Sequence, residues 1–269
     1  MTAHRELRAA VRGIGLIGPG LADWPGAAAV LTGAQPYRHA PTDVPAPALL
    51  PPAERRRTGA TVRLALAAGL QAVEDAGVDP QPLASVFASS GGDGSICHEI
   101  CSTLASAQRD ISPTRFHNSV HNAASGYWSI AVRSMAPSTS LCAFDGSFAA
   151  GLLEALTQAA ASAAPVLLVA YETVYPEPLR TQRPLPDAFG LALLLDPHPA
   201  ADARAHLGAQ LVHEPADTLG DPVLEALRAG VPSARSLPML RHIARRDSGR
   251  AVLDYLGPLR LAVTVTPCP

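Results

Sequence analysis

The residues best placed to do chemistry lie in a strand–turn–helix at about 138–156, a geometry that presents a nucleophile at the start of a helix. The turn reads Leu141-Cys142-Ala143-Phe144-Asp145-Gly146-Ser147, so Cys142 is the candidate thiol. We expect Asp145 to cap the helix, where its carboxylate would occupy the positive helix end and disfavour a nearby thiolate. The alternative is a small buried cysteine inside a strand, since free cysteine is among the most buried residue types.

A polar segment upstream, FHNSVHNAASGYW, holds two histidines that flank a hydroxyl. His117 and His121 lie on either side of Ser119, and histidine beside a hydroxyl could serve acid–base chemistry. No acidic residue lies close in sequence to orient either ring. The alternative is that 112–126 is a turn-rich loop that ties down its own backbone or contacts a partner chain, with two interface-type aromatic residues directly behind it.

Two further motifs favour neither a metal nor a cofactor. Cys97 and Cys101 share a predicted helix face in CHEIC, with His98 and Glu99 between them, but a structural zinc site needs a second short-spaced cluster. The glycine-rich SSGGDGS matches neither the dinucleotide nor the Walker pattern, and a tight turn explains it equally well. The sequence therefore predicts no metal and no cofactor.

Composition sets the broad class of the protein. Hydrophobic residues make up 48% of the chain, charged residues 16% and aromatic residues 4%, so a core of Ala, Leu and Val is expected. A net charge of -2 favours neither a nucleic acid nor an anionic membrane as partner. No apolar run approaches the roughly 18 residues that span a bilayer, and four cysteines make no disulfide framework. We expect a single domain over 1–269 in the cytoplasm, with no membrane insertion.

The elements that must position these residues alternate between strands and helices. Apolar and alternating runs predict strands at 11–19, 84–90, 138–144, 165–172, 189–197, 205–214 (as an edge strand) and 259–267. Helical spacing predicts helices at 53–77, 95–107, from 127 onward, 146–163, 221–229 and 236–246, and prolines predict an ordered loop over 36–52. The helix at 146–163 has a small face that would lie close to a sheet. This alternation predicts one layered α/β domain with a mixed sheet.

These segments resemble, in the same order, the N-terminal half of a β-ketoacyl-ACP synthase of the thiolase superfamily. The resemblance covers about 11–197 and is most specific over 111–131. There the residues that match the family motif at the same spacing are Asn122, Gly126, Ser129 and Ile130. It implies a thiolase-like half, with a mixed five-stranded sheet flanked by helices. FHNSVHNAASGYWSIA and VLLVAYETVYPEPL are still more similar to a small subfamily from aryl-polyene and xanthomonadin-type pigment clusters. Its members consist of little more than this half and are regarded as chain-length-factor-like partners of a complete ketosynthase.

The chain departs from the enzyme pattern at the nucleophile. With Gly146 aligned to the family glycine that lies three residues after the catalytic cysteine, Ala143 falls at the nucleophile position. A shift of one residue along a strand turns the side chain over, so Cys142 is expected to point away from a bound thioester. The family's two histidines and its lysine belong to a C-terminal half that is not recognised here, and neither His117 nor His121 matches them.

The resemblance therefore implies a non-catalytic subunit that forms a heterodimer with a full-length ketosynthase and meets the acyl carrier protein indirectly. Its implied dimer strand comprises Ser138, Thr139, Ser140, Leu141 and Cys142. Its implied acyl-pocket and partner loop comprises Phe116, His117, Val120, His121, Asn122, Tyr127 and Trp128. Two alternatives remain open: a free-standing acyltransferase or thioesterase that uses Cys142, or His121 with Ser119, and a homodimeric scaffold that binds acyl-ACP.

Overall fold

A mixed sheet of eight strands runs through the computed structural model, which describes residues 6–200 and 202–268. The strands are Leu7–Ile17 (β1), Ala84–Ala88 (β2), Ser138–Leu141 (β3), Val166–Glu172 (β4), Phe189–Asp196 (β5), Ala205–Val212 (β6), Gly249–Asp254 (β7) and Arg260–Pro267 (β8). Their order is β3-β2-β4-β5-β1-β6-β8-β7. β3, β2 and β4 are mutually parallel, and every other pair is antiparallel.

The predicted mixed sheet flanked by helices is confirmed, with more strands than expected. β3-β2-β4-β5-β1 corresponds to the five strands implied by the resemblance, and β6, β8 and β7 extend the sheet beyond β1. The prediction that 205–214 forms an edge strand is wrong, because β6 pairs with β1 on one side and with β8 on the other. β7, which the sequence analysis missed, is the true edge on that side.

Ten α-helices connect these strands within the described residues. They are Trp24–Thr32 (α1), Pro52–Arg55 (α2), Ala60–Ala76 (α3), Gly94–Ala105 (α4), Pro113–Asn118 (α5), Ala123–Val132 (α6), Ser147–Ser162 (α7), Leu179–Gln182 (α8), Pro222–Gly230 (α9) and Leu237–Arg245 (α10). The helix predicted over 53–77 is broken at 56–59, and it ends as predicted at Gly77, where φ is +63°. The segment 112–126, predicted to be a loop, is largely helical in α5 and the first turn of α6.

Helices cover both faces of the sheet. α3 and α6 pack on one face, and α1, α7, α9 and α10 pack on the other. The small face predicted for the helix after the turn is confirmed: a Cβ on Gly151 would lie 2.7 Å from the Ala88 Cβ, so α7 sits directly on β2. β4 and β5 are buried along their whole length, as their continuous apolar runs predict.

The two edges of the sheet differ in how they are covered. At β7, the Asp217 N–H donates to the Val252 carbonyl and the Asp217 carboxylate accepts from the Val252 N–H, each at 2.8 Å. At β3, no other strand among residues 6–200 and 202–268 pairs with the outer side. An uncovered strand edge is a template for pairing with another chain.

None of the described helices is both long and apolar enough to span a bilayer.

Candidate functional site

The strand–turn–helix predicted from sequence forms the centre of the site. β3 ends at Leu141, residues Phe144–Gly146 make one turn of 3₁₀ helix, and α7 starts at Ser147. The apex is Phe144, whose φ of +50° is unusual for a residue with a side chain and whose ring is 60% exposed. The guanidinium of Arg183 lies 3.8 Å above the centre of this ring. The residue held in the strained backbone is therefore a phenylalanine.

Cys142 lies one residue beyond the end of β3 and is exposed, so the prediction that it is a buried strand residue is wrong. The Cys142 thiol donates to the Ser90 carbonyl at 3.3 Å. Among the described residues, this is the only hydrogen bond of the Cys142 sulfur, and neither a histidine nor a carboxylate accepts its proton.

Asp145 does not cap the helix, contrary to prediction. Its carboxylate accepts from Arg183 at 2.8 Å and from Arg235 at 3.0 Å, since two guanidinium groups reach it from other parts of the chain. Ser147 closes the turn instead: its hydroxyl accepts from the Ala143 N–H at 3.0 Å and donates to the Phe144 carbonyl at 2.6 Å. The negative charge at the turn is thus held in an ion-pair cluster.

The C-terminal part of the chain supports this turn from the side. Arg235, which binds Asp145, also pairs with Asp254 at 3.3 Å. A Cβ on Gly146 would lie 2.6 Å from the Tyr255 carbonyl oxygen, so only glycine fits beside the loop that joins β7 to β8. Residues beyond 198, to which the sequence assigned no role, therefore contact the site directly.

The two histidines of the polar segment do not form a catalytic pair with the hydroxyl between them. His121 Nε2 lies 3.0 Å from the Ser89 carbonyl oxygen, whereas the Ser119 hydroxyl donates to the Phe116 carbonyl at 2.8 Å. The His117 ring lies edge-to-face with Tyr127, with the ring centres 6.2 Å apart. The hypothesis of a His121–Ser119 pair is thus not supported by the geometry of either side chain.

An apolar groove of about 460 Å³ opens along α5 and α6. Three of its lining side chains are strongly exposed: Phe116 at 64%, Val120 at 49% and Ile130 at 45%. Of the residues predicted to form a pocket or partner loop, this groove is lined by Phe116, His117, Val120, Asn122 and Tyr127. Exposed apolar surface gathered in one groove is typical of a binding site.

Trp128, which was predicted to belong to the acyl-pocket and partner loop, lies in the core and does not line the groove. It is 1% exposed, its ring centre lies 6.4 Å from that of Phe87, and a Cβ on Gly69 would come within 2.8 Å of it. Tyr127 is also buried, at 2%, and its hydroxyl donates to Asn118 Oδ1 at 3.1 Å. The two aromatic residues therefore fix α6 to α3 and to the sheet, and only the rim of Tyr127 reaches the groove.

A buried carboxylic acid that was not predicted from the sequence lies beside the turn. Glu172, at the end of β4, is 2% exposed, and its carboxyl oxygens accept from the Ser90 N–H at 2.6 Å and the Ser90 hydroxyl at 2.8 Å. Burial raises the pKa of Glu172 to about 7, although both hydrogen bonds from Ser90 act to lower it. Ser90 thus joins this acid to the Cys142 thiol. The only signal in the sequence is an acidic residue that ends a wholly apolar run.

Glu172→Gln is expected to flatten the dependence of stability on pH. The pKa of Glu172 is higher in the folded chain than its ordinary value of 4.5, so its contribution to stability is complete below that value and lost as the pH rises through about 7. The loss in the wild type amounts to at most about 3 kcal/mol. Glutamine imitates the protonated acid, because its carbonyl can accept from the Ser90 N–H while its amide donates to the Ser90 hydroxyl.

Urea unfolding at pH 5 and pH 8 measures this difference. Glu74→Gln, at an exposed position on α3, is the matched control and should keep the wild-type pH dependence. An equal loss of unfolding free energy between the two pH values in the wild type and in Glu172→Gln would contradict the assignment.

The other polar motifs have structural explanations. Glu99 of CHEIC pairs with Arg115 at 2.7 Å, and no group of three or more potential metal ligands occurs in the part of the chain that the structure describes. In the glycine-rich turn, Gly91 and Gly94 lie so close to Tyr175 that neither has room for a Cβ. Asp93 caps α4 by accepting from the Ile96 N–H at 3.0 Å.

A turn at the end of a parallel strand, on a mixed sheet flanked by helices, is the arrangement of a thiolase-like fold. The model of the β-ketoacyl synthase N-terminal domain matches residues 31–248, and the chain belongs to the β-ketoacyl synthase family. No curated protein sequence matches the chain.

Solved structures of ketosynthase complexes share the fold. One chain of the complex between a ketosynthase (ApeO) and its chain length factor (ApeC) from Xenorhabdus doucetiae is 25% identical, with a TM-score of 0.74, over 96% of this chain and 99% of that chain. A chain of AntDE:AntF, a type II polyketide acyl carrier protein in complex with its ketosynthase, matches at 13% identity and a TM-score of 0.73, over 98% and 100%. The ishigamide ketosynthase/chain length factor matches at 14% and 0.59, over 86% and 70%.

Proposed function

We propose that this chain is a chain-length-factor-like subunit that forms a heterodimer with a complete β-ketoacyl-ACP synthase and does not catalyse condensation itself. The observation that carries the proposal is the turn after β3, whose apex of positive φ is Phe144 and whose preceding residue is Ala143, neither of which has a nucleophilic side chain. The neighbouring Cys142 has a backbone carbonyl as its hydrogen-bond partner and no base. A scaffold for acyl transfer that lacks an activated nucleophile fits a subunit that shapes a site rather than reacting in it.

The uncovered outer edge of β3 is the proposed contact with the ketosynthase. Ser138 to Leu141 pair with β2 on one side only, so a strand of the partner can extend the sheet on the other. α6 joins this edge to the groove: the Ser140 hydroxyl on β3 donates to the Ser125 hydroxyl on α6 at 3.1 Å, and other residues of α6 line the groove.

The similarity to solved ketosynthase complexes supports the proposal that this chain is the partner of a ketosynthase. The ApeO–ApeC complex contains a ketosynthase and its chain length factor, and the matched chain is covered almost from end to end. We further propose that the heterodimer acts in the cytoplasm on acyl-carrier-protein thioesters, in aryl-polyene biosynthesis or a similar polyketide pathway. The resemblance of the segments around Asn122 and Tyr171 to proteins from pigment clusters supports this assignment.

The groove along α5 and α6 is proposed to set the length of the acyl chain. Phe116→Ala should enlarge it and lengthen the product of the heterodimer by one or more extension units. Gly126→Leu should shorten the product, since a Cβ on Gly126 meets no other atom within 4 Å and the side chain would fill the groove. Mass spectrometry of the carrier-bound products measures both effects.

Val223→Ala, an exposed apolar position on α9, is the matched control and should leave product length unchanged. Unchanged products from both groove variants, in heterodimers that still assemble, would show that the groove does not measure the chain.

A free-standing acyltransferase that uses Cys142 is the second candidate, favoured by the exposure of this thiol. Rapid, selective alkylation of Cys142 by iodoacetamide at neutral pH, with a mass increase after exposure to acyl-ACP, would support that enzyme. Slow alkylation and no acyl adduct are expected from the proposed subunit, because the thiol donates to a backbone carbonyl and no base within the described residues accepts its proton.

A further inference from the structure

A second pocket, of about 420 Å³, opens on the opposite side of the sheet from the groove. Its walls come from the end of α1, the start of α9 and the exposed side of α10. Leu31, Leu219 and Leu224 give it an apolar wall, and two arginines of α10 face that wall. The volume is in the range of pockets that bind small molecules.

The two arginines are Arg241 and Arg245, one helical turn apart and therefore on the same face of α10. The Nε atom of Arg241 is buried and has no hydrogen-bond partner among the described residues. Neither arginine forms an ion pair within 6–200 and 202–268, whereas Arg228 and Arg235, nearby in the chain, each bind two carboxylates. The Arg241 Nε–H is thus available to donate to an anion bound in the pocket.

The charge of the pocket selects the ligand. Among the described residues that line the pocket, Asp221 alone is acidic, and its carboxylate already accepts from the Val223 and Leu224 N–H groups at 2.8 and 3.0 Å as the cap of α9. Two guanidinium groups against one carboxylate leave a single positive charge. A monoanion balances this charge, and a planar carboxylate matches the fork of an arginine better than a spherical ion does.

We propose that this pocket binds an organic carboxylate with an apolar body, its carboxylate on Arg241 and Arg245 and its body against the leucine wall. The site goes beyond the proposed subunit function and is independent of it. α10 packs on β7 and β8, at the end of the sheet opposite to β3, so the proposed partner edge does not cover it.

Fluorine NMR of the full-length chain tests this site with 4-fluorobenzoate as the probe. We expect 4-fluorobenzoate to bind at least about tenfold more tightly than neutral 4-fluorobenzamide, because only the acid pairs with the arginines. Arg241→Gln should weaken binding of the acid by about tenfold or more, and Arg245→Gln should weaken it as well. Arg246→Gln, at the end of the same helix but outside the pocket, should bind like the wild type.

Several results would overturn the proposal. These are equal binding of the acid and the amide, equal binding by Arg241→Gln and the wild type, or stronger competition by inorganic phosphate than by benzoate. Should Arg241→Gln fail to fold, the exposed Arg245 decides: unchanged binding by Arg245→Gln overturns the proposal in the same way.

Discussion

Ser140→Pro is expected to weaken binding of the partner ketosynthase by at least about 100-fold. The Ser85 N–H donates to the Pro137 carbonyl and the Ser89 N–H to the Leu141 carbonyl, so the odd-numbered residues of this strand face β2. In a parallel ladder the alternate residues, including Ser140, direct their N–H and carbonyl groups outward. Proline at 140 removes the outward donor and places its ring where the incoming strand would lie.

The fold itself should tolerate this change, since an edge strand accepts proline where the N–H faces outward. Ser140→Ala is the matched control: it loses the hydrogen bond to the Ser125 hydroxyl but keeps the backbone donor, and binding should stay within about threefold of the wild type. Calorimetry with the purified ketosynthase measures both affinities. Wild-type binding by a folded Ser140→Pro chain would exclude β3 as the contact.

Trp128→Ala should lower the free energy of unfolding by about 3–5 kcal/mol. The ring is almost fully buried between Phe87 and Gly69, and its removal leaves a cavity between α6, α3 and the sheet. Phe116→Ala, at a side chain that is 64% exposed, should change the unfolding free energy of the isolated chain by no more than about 0.5 kcal/mol.

Urea unfolding of both variants separates the two roles. A loss of unfolding free energy in Trp128→Ala that is no larger than the loss in Phe116→Ala would show that Trp128 does not pack in the core. The pair also shows whether the groove can be altered without damage to the core, which the product-length experiment requires.

The parts of the fold that could be predicted are those in which local pattern and burial agree. β4 and β5 are continuous apolar runs, and the apolar or small residues of α3 and α7 recur at helical spacing. The sequence therefore predicts the bounds of these four elements closely. α5 was missed because its sequence is polar: its stability depends on Asn118, whose amide donates to the Arg57 carbonyl at 2.7 Å, a contact between distant residues. β7 was missed because its six residues include a glycine and two charges.

The site could be located from sequence but not described in detail. The turn after β3 follows from the change from strand to helix pattern at 138–147 and from the family glycine at 146. The role of Asp145 could not be predicted, because its two arginine partners lie 38 and 90 residues away in the chain. The raised pKa of Glu172 likewise could not be predicted, because it comes from burial in the folded chain, and the partner of its carboxylate, Ser90, lies 82 residues away.

The central claim is that this chain does not catalyse condensation itself. The most direct test is the rate of condensation by the heterodimer when this chain carries Cys142→Ala. The turn with Phe144 at its apex leaves the chemistry to the partner, so the variant should elongate an ACP-bound substrate at a rate within about twofold of the wild type. Replacing the catalytic cysteine of the ketosynthase should abolish elongation. Loss of elongation in Cys142→Ala, in a heterodimer that still assembles, would contradict the account and make this chain an enzyme.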